Sequence, residues 1–509
     1  MSNHTVIIPT AGLGSRMGEL SKSLNKSLLP YLAKPVIAHI IDQFPKDTRF
    51  IIPVGYAADQ VMDFCNLVYR DRHIEFVHVS DWTSDRAGPG YTVKHCLDSI
   101  TGPFWYVPCD TFFAEDIIAD RTANSYFVTS VPASINHYYT MFDVVDSSIH
   151  DMKFKESVPD NWQAFTGVMY IHDWQDFKNR LSNDDSPEII WTIKHGGNVE
   201  RLDTWLDFGN LSIYKQAVSS SQKYDFTKDD EVTYICNNRV IKWWRDPSIA
   251  EKKYRKSQTN ISVYPNNVEY VNSWLAYDYF DGVTLYQNND PSSFNMLLEW
   301  LGSEVWKTKD RDISKEAHEF YKTKTLSRIA KFIDKYPSLP AVTHVDGITV
   351  KHWEYYLNKI DWTLLSTELL PGYTHGDLQF DNLIIDNDKY RVIDWRHEFA
   401  GLVELGDVYY DLAKLTGGFI INYSEIKDNH FEVITEGTTV KLVIPSAPNS
   451  DIYLSKIKEY ILSKGWSYKK VQLLIPIIFW NMSPLHTPPF DKLLWYLGMK
   501  LFEELDNDN

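Results

Sequence analysis

Cysteine is scarce: the 509 residues hold four, Cys65, Cys96, Cys109 and Cys236, none in a CxxC spacing. That usage excludes a disulfide framework and a cysteine-built zinc site, and it suits a reducing, cytoplasmic compartment. Long apolar runs are missing too, since the most apolar late stretch, VQLLIPIIFW at 471–480, is short and contains a proline. No transmembrane segment is expected. The opening residues show no basic segment followed by an apolar core and a small-residue cleavage site, so no secretory leader is expected either. Positive charge is in deficit, with 51 Lys and Arg against 68 Asp and Glu and a formal net charge of −17. A nucleic-acid partner is excluded on that balance, while small anionic substrates held in local basic pockets remain open.

What the chain has is material for packed interiors: 44% of residues are hydrophobic and 14% aromatic. Its length calls for at least two domains. The first part alternates TVIIP, KPVIAHIIDQF, RFIIPVG, AADQVMDFCNLVY and IEFVHV, a βαβαβ rhythm. Val36, Ile37, Ile40, Ile41 and Phe44 fall on one helical stripe, so that helix packs on the sheet. Further strands are expected at FWYVPCD, YFVTSV and FTGVMYI. The fold class is therefore α/β, with a mostly parallel, Rossmann-like sheet.

A polar stretch, AVSSSQKYDFTKDDE at 217–231, suits a surface linker. The expected division is residues 1–218, a linker at 219–230, and a second domain at 231–509. That domain opens with EVTYIC-NN-RVIKWW, two strands about an Asn-Asn turn, because asparagine tolerates positive φ. Its small lobe extends to about residue 280 and the rest is largely helical, with one more hairpin at FEVITEGTTVKLVI.

The loop IIPTAGLGSRM, residues 7–17, invites comparison with the dinucleotide fingerprint, but its sixth position is Met17 where a glycine is needed. It reads instead as a turn in which Ala11, Gly12, Gly14 and Ser15 let backbone N–H groups approach phosphates, with Arg16 and Lys26 adding positive charge. AGLGSRM followed by NKSLLPYLAKPVIAHII resembles the sugar-phosphate and choline-phosphate nucleotidyltransferases over roughly residues 4–215. The resemblance implies that Arg16 and Lys26 are catalytic, neutralising charge on the α-phosphate and the leaving pyrophosphate. It places Lys34 at a helix start, Gly88 and Gly90 of AGPGYTVKHCL at the nucleobase, and Glu156, Gly167 and either Lys153 or Lys155 at the acceptor. Asp110 and Asp207 are the implied ligands of Mg²⁺, Asp110 at the carboxyl end of a strand where open α/β sheets bind ligands. Asn25 and Ser27 depart from the family, which has proline at both places, and the loop is expected to be looser for it.

YTHGDLQFDNLIIDNDKYRVIDW, residues 373–395, carries the second chemistry. Protein kinases space a catalytic Asp, a metal-binding Asn and a second metal-binding Asp much as Asp377, Asn382 and Asp394 are spaced. His-Gly-Asp in place of His-Arg-Asp, and Asp-Trp-Arg in place of Asp-Phe-Gly, resemble the aminoglycoside phosphotransferase and choline kinase branch, which phosphorylates small alcohols. The second domain would then be a protein-kinase-like α+β fold. Asp377 would accept the proton of the attacking hydroxyl, Asn382 and Asp394 would hold Mg²⁺, and His375 would be structural. Lys242 and Glu251 resemble the lysine that grips ATP phosphates and its helix glutamate, Tyr277 to Tyr279 resemble the purine-binding hinge, and Asp407 and Asp411 resemble supports of the catalytic loop. No GxGxxG loop precedes Lys242.

A kinase and a nucleotidyltransferase in one chain imply consecutive steps. ATP would phosphorylate a small alcohol, and CTP or another nucleoside triphosphate would join that phosphate, giving an activated group for cell-surface glycan synthesis. Amino alcohols such as choline, polyols and sugars are all open as acceptors. The alternative is an active nucleotidyltransferase with a regulatory or scaffolding pseudokinase half. An oligomer is compatible with either.

Overall fold

A computed structural model describes residues 4–507 apart from 184–185, 187, 195–196, 222–229, 340, 388 and 446. Within these residues one compact unit takes in the chain to Ser221 together with Asp230–Arg245, and a second begins at Asp246. The expected linker lies, from 222 to 229, outside the described residues.

Nine strands make the main sheet of the first unit: β1 (Thr5–Ile7), β2 (Arg49–Val54), β3 (His73–His78), β4 (Phe104–Tyr106), β5 (Ser125–Thr129), β6 (Thr140–Val145), β7 (Ser148–Phe154), β8 (Gln163–Ile171) and β9 (Asn198–Arg201). Their spatial order is β3-β2-β1-β4-β8-β5-β9-β7-β6. The first four run parallel, as the βαβ rhythm requires, whereas β8 is antiparallel to both of its neighbours in that order. Helix α1 (Val36–Gln43) presents the expected stripe, and Val36, Ile37, Ile40, Ile41 and Phe44 are all buried. Burial of each such side chain stabilises by roughly 1.5–3 kcal/mol. β1 and β4 are neighbours, so the loops leaving their carboxyl ends open onto one cleft, the usual ligand position in such sheets.

The Asn-Asn hairpin forms as the sequence indicates: β10 (Glu231–Cys236) and β11 (Arg239–Trp244) pair in register, and Asn237 and Asn238 both have positive φ. This hairpin, expected to begin the second domain, groups with the first unit. The reason is a set of bonds to backbone carbonyls, in which Ile235 N donates to Ala33 O at 2.7 Å, Asn237 Nδ2 to Val68 O at 3.2 Å and Arg239 Nη1 to Leu67 O at 3.1 Å.

The second unit holds two short antiparallel pairs that matter for its chemistry, β12 (Glu269–Val271) with β13 (Trp274–Asp278) and β14 (Leu383–Asp386) with β15 (Lys389–Val392). Helices make up most of the remainder. Among them are α2 (Lys324–Lys335) and α3 (Val408–Ile420), the latter buried along almost its whole length. A helix buried all round yet bearing Asp411 and Lys414 must find partners for both charges.

Candidate active sites

In the first unit the cleft measures about 940 Å³ and is lined by Ala11, Gly12, Gly14, Ser15, Arg16, Lys26, Gly88, Asp110, Gly167 and Asp207 among others. Lys26 Nζ lies 2.8 Å from Asp110 Oδ2. Burial pulls the lysine down, but the Asp110 carboxylate more than offsets it and holds Lys26 above the usual lysine range. Asp110 is in turn held below the usual carboxylate range, since Lys26 and Arg16 outweigh its own burial. Asp207 goes the other way: burial, then the charge of Asp110, push it up, although Gly209 N and Tyr139 Oη donate to it at 2.9 and 3.2 Å.

Gly209 is what allows this convergence. A Cβ there would stand 2.7 Å from Asp110 Oδ2, 3.0 Å from Asp207 Oδ1 and 3.4 Å from Arg16 Nη2. Two adjacent carboxylates, one of them unfavourably charged for want of compensation, fit a divalent cation facing the phosphates. Among the described residues no group of three or more His, Cys, Asp and Glu gathers to hold a metal ion.

Several residues singled out by the sequence lie elsewhere. Gly90 is buried within the short helix Pro89–Lys94, and Glu156 and Lys153 are exposed outside the cleft. Lys34 pairs with Asp42 at 2.7 Å. Of the two acceptor lysines it is Lys155 that lines the cleft, 3.4 Å from Glu188. Tyr139, Glu188, Trp205 and Gly209 escaped the sequence reading, because isolated residues between short strands carry no periodic or spacing signal; only the DFG at 207–209 hinted at a turn.

The loosening expected from Asn25 is not found. The side chain is fully buried, its Nδ2 donates to Thr10 O at 3.0 Å and Tyr56 O at 2.7 Å, and its Oδ1 accepts from Ser27 N at 3.0 Å and Ser27 Oγ at 2.8 Å. Asparagine replaces the stiffness of a proline with four bonds, two that tie the lysine loop to the segments at Thr10 and Tyr56 and two that brace it from within at Ser27.

In the second unit the loop that begins at His375 is fixed by Asp411, whose carboxylate accepts from His375 N at 2.7 Å and Gly376 N at 2.6 Å. His375 is wholly buried; its Nε2 donates to Ile393 O at 2.7 Å and its Nδ1 accepts from Asp377 N at 3.2 Å. Burial takes its pKa down to about 4, so the ring is neutral with both nitrogens satisfied. Asn382 Nδ2 donates to Asp377 O at 2.8 Å, and Ile393 N donates to Asn382 O at 3.0 Å, which brings Asp394 to the same end of the loop. Asp394 sits just past β15 with φ of 58°, a conformation that a non-glycine residue adopts at a cost.

Asp377 Oδ1 accepts from Lys414 Nζ at 2.7 Å. Burial would raise this carboxyl, yet Lys414 and Arg396 hold it well below the usual carboxylate range. The glycine of His-Gly-Asp and the arginine of Asp-Trp-Arg prove to be one feature. Gly376 has φ of 84°, a Cβ there would stand 2.7 Å from Arg396 Cβ, and Arg396 Nε donates to Gly376 O at 2.9 Å. The guanidinium absent before Asp377 arrives from two residues past Asp394.

Asp407 also supports the loop region, accepting from Tyr321 Oη at 2.8 Å and Lys470 Nζ at 2.9 Å. Lys242 lies 3.7 Å from Glu231 on the adjacent strand, whereas Glu251 is exposed on the helix Pro247–Ser257. Tyr277 is buried on β13 and Tyr279, just after it, is exposed.

Residues 6–136 match the MobA-like NTP transferase domain, and residues 271–430 match the phosphotransferase enzyme family. The bifunctional protein GlmU of Methanococcus vannielii is 26% identical over 113 residues, 22% of this chain and 26% of its own. The protein of the same name from Methanococcus maripaludis is 28% identical over 113 residues, also 26% of its own length. The chain thus spans about a quarter of these curated relatives. Among solved structures, a UDP-glucose pyrophosphorylase complexed with UDP-glucose aligns over 43% of this chain and 98% of its own, at 15% identity and a TM-score of 0.36. A CTP:phosphocholine cytidylyltransferase from Streptococcus pneumoniae aligns over 43% and 100%, at 17% identity and a TM-score of 0.36. One chain thus carries a segment that matches the MobA-like NTP transferase domain followed by a segment that matches the phosphotransferase enzyme family.

Proposed function

We propose that the two halves work in sequence. In the kinase half, the acceptor hydroxyl attacks the γ-phosphorus of ATP, the bond to the β,γ-bridging oxygen breaks with its electron pair leaving on ADP, and the hydroxyl proton passes to Asp377. In the other half, an oxygen of the resulting phosphomonoester attacks the α-phosphorus of CTP, or of another nucleoside triphosphate, and pyrophosphate leaves. Lys26 and Arg16 offset the charge that develops there, and the loop from Ala11 to Ser15 receives the triphosphate. Gly88 stands at the base, and Gly167 with Lys155 at the acceptor. Mg²⁺, held by Asp110 and Asp207 in one half and by Asn382 and Asp394 in the other, would supply further neutralisation of phosphate charge. The product is a nucleotide-activated alcohol of the kind used to decorate cell-surface glycans.

The observation that carries this is the pairing of a triphosphate-type cleft with a fixed phosphotransfer loop in one chain, since the product class of one reaction is the acceptor class of the other. Phosphorus NMR and mass spectrometry on the protein with ATP, Mg²⁺, a pool of alcohols and either CTP or UTP test it. A nucleoside-diphosphate alcohol is the expected product; phosphomonoester that is never consumed overturns the sequence of steps.

One observation favours the pseudokinase alternative. Before Lys242 the strands are joined by the two-residue Asn237-Asn238 turn and no glycine-rich loop is present. ATP turnover lost in Asp377→Ala excludes that alternative, and equal inertness of wild type and variant establishes it.

A further inference from the structure

We propose that the β10–β11 hairpin is a working part of the nucleotidyl-transfer site, in which Tyr234 is a positioning residue for Lys26. This rests on the reading of Lys26 as the group that offsets charge at the α-phosphorus. It extends that site to a residue 206 positions beyond the turn that it holds.

Lys26 opens a single 3-10 turn, Lys26–Leu28, in which Leu28 N donates to Asn25 O at 2.9 Å and Leu29 N to Lys26 O at 3.2 Å. So short a turn has no stability of its own, and the placing of Lys26 must come from anchors outside it. At its start stands Asn25, bonded to Thr10 O and Tyr56 O. At its end Tyr234 Oη donates to Leu28 O. Leu28 is wholly buried, so water cannot take the place of that donor. Tyr234 is wholly buried too, with its ring meeting the buried Phe64 edge-on at 5.7 Å. Burial pushes the phenol well above the ordinary tyrosine range, which keeps it a donor.

The hairpin is fastened to the same loop at two further points. Ile235 N donates to Ala33 O at 2.7 Å, at the tight turn between Pro30–Tyr31 and Lys34–Pro35 where Leu32 and Ala33 both have positive φ. Arg245 Nη2 donates to Ser23 Oγ at 3.1 Å. Bonds at 23, 28 and 33 therefore bracket Lys26 along the chain. The base of this strut is fixed as well, since Asn237 and Arg239 are moored to the carbonyls of Val68 and Leu67, at the end of the helix Ala58–Val68. On its other side the Lys26 stem lies on the phosphate loop: a Cβ at Gly14 would stand 3.2 Å from Lys26 Cβ and 3.4 Å from its Cδ. With the backbone held by the hairpin and the stem held by Gly14, the ammonium of a rotamer-rich side chain is given one place, 2.8 Å from Asp110.

The test is Tyr234→Phe in the full chain, which deletes the bond to Leu28 O and keeps the ring on Phe64. Pyrophosphate release is measured with Mg²⁺, CTP or UTP, and a pool of choline phosphate, ethanolamine phosphate, glycerol phosphate and glucose 1-phosphate. The expected result is a kcat lowered roughly tenfold with the KM of the nucleotide unchanged, because Lys26 acts on charge that appears in the transition state. In a Lys26→Ala background the same change should cost less than about twofold, since a positioning residue has no effect once the residue it positions is gone. Hydrogen exchange of the segment 24–30 should quicken roughly tenfold in Tyr234→Phe. Faster exchange with an unchanged kcat would make Tyr234 an anchor of structure alone and overturn the proposal, as would a full further loss in the Lys26→Ala background. A fall in ADP formation with pyrophosphate release intact also overturns it, by assigning the hairpin to the kinase half. No pyrophosphate from the wild type on any acceptor overturns the nucleotidyl-transfer reading beneath it.

Discussion

Each half of the molecule holds one half-buried aspartate against one lysine at nearly the same distance, Lys26 with Asp110 at 2.8 Å and Lys414 with Asp377 at 2.7 Å. The surroundings make them different devices. Beside Asp110 a second carboxylate, Asp207, is pushed up by burial and by its neighbour, so that site has negative charge to spare for a cation. Beside Asp377 the added group is the Arg396 guanidinium, which with Lys414 holds that carboxyl in its charged form despite burial. An ion pair identifies neither chemistry; the charge left over around it does.

The sharpest way to break the comparison is to remove one member of each pair in turn. Asp377→Asn should lower phosphoryl transfer about a thousandfold, the range of a lost general base, and leave pyrophosphate release from a supplied alcohol phosphate at the wild-type rate. Lys26→Ala should do the converse, slowing nucleotidyl transfer roughly a hundredfold or more through lost charge stabilisation while ADP formation persists. Both rates measured on both variants decide the matter. Equal damage to both reactions would show that the two lysine–aspartate pairs do not serve separate sites.

Much of this was legible in the chain, because the signals were periodic or local. The stripe from Val36 to Phe44, the Asn237-Asn238 turn and the loop spacing of Asp377 and Asn382 each depend on residues a few positions apart. What escaped was long-range. Gly209 matters only because Asp110 and Arg16, from distant segments, come within reach of it. Gly376 and Arg396 lie twenty positions apart and exchange a role that a single arginine has in the kinase motif. The grouping of the 231–245 hairpin with the first unit depends on carbonyls at 33, 67 and 68, which carry no side-chain signature.

Smaller effects sharpen the comparison through the supports of each site. Asn25→Ala deletes the four side-chain bonds that hold the lysine loop, at about 1 kcal/mol each, and should destabilise the first unit by about 3–4 kcal/mol. Asn25→Pro, which restores the residue usual in the family, cannot recover those bonds, and its ring would also remove the amide that donates to Gln60 Oε1 at 2.9 Å. Denaturant titration followed by a probe in each half checks both; an unshifted midpoint for Asn25→Ala would mean that the loop is held by its backbone alone.

The smallest expected effect is a pH slope in the second half. His375 is buried neutral with a pKa near 4, below the usual 6.5, because burial penalises the charged ring. A depressed folded value means that the unfolded chain binds the proton first, so the contribution of this ring is complete above pH 6.5 and is lost as pH falls towards 4. Asp411, pushed up to about 6 by burial, slopes the opposite way, which makes the bare wild-type curve ambiguous. The difference between wild type and His375→Asn removes that ambiguity, since the variant keeps an acceptor for the amide and has nothing to titrate. Between pH 6.5 and 4 the wild type should lose about 2 kcal/mol more than the variant. Parallel curves would mean that the ring carries its proton in the folded state, and the hydrogen-bond directions assigned around the catalytic loop would have to be reversed.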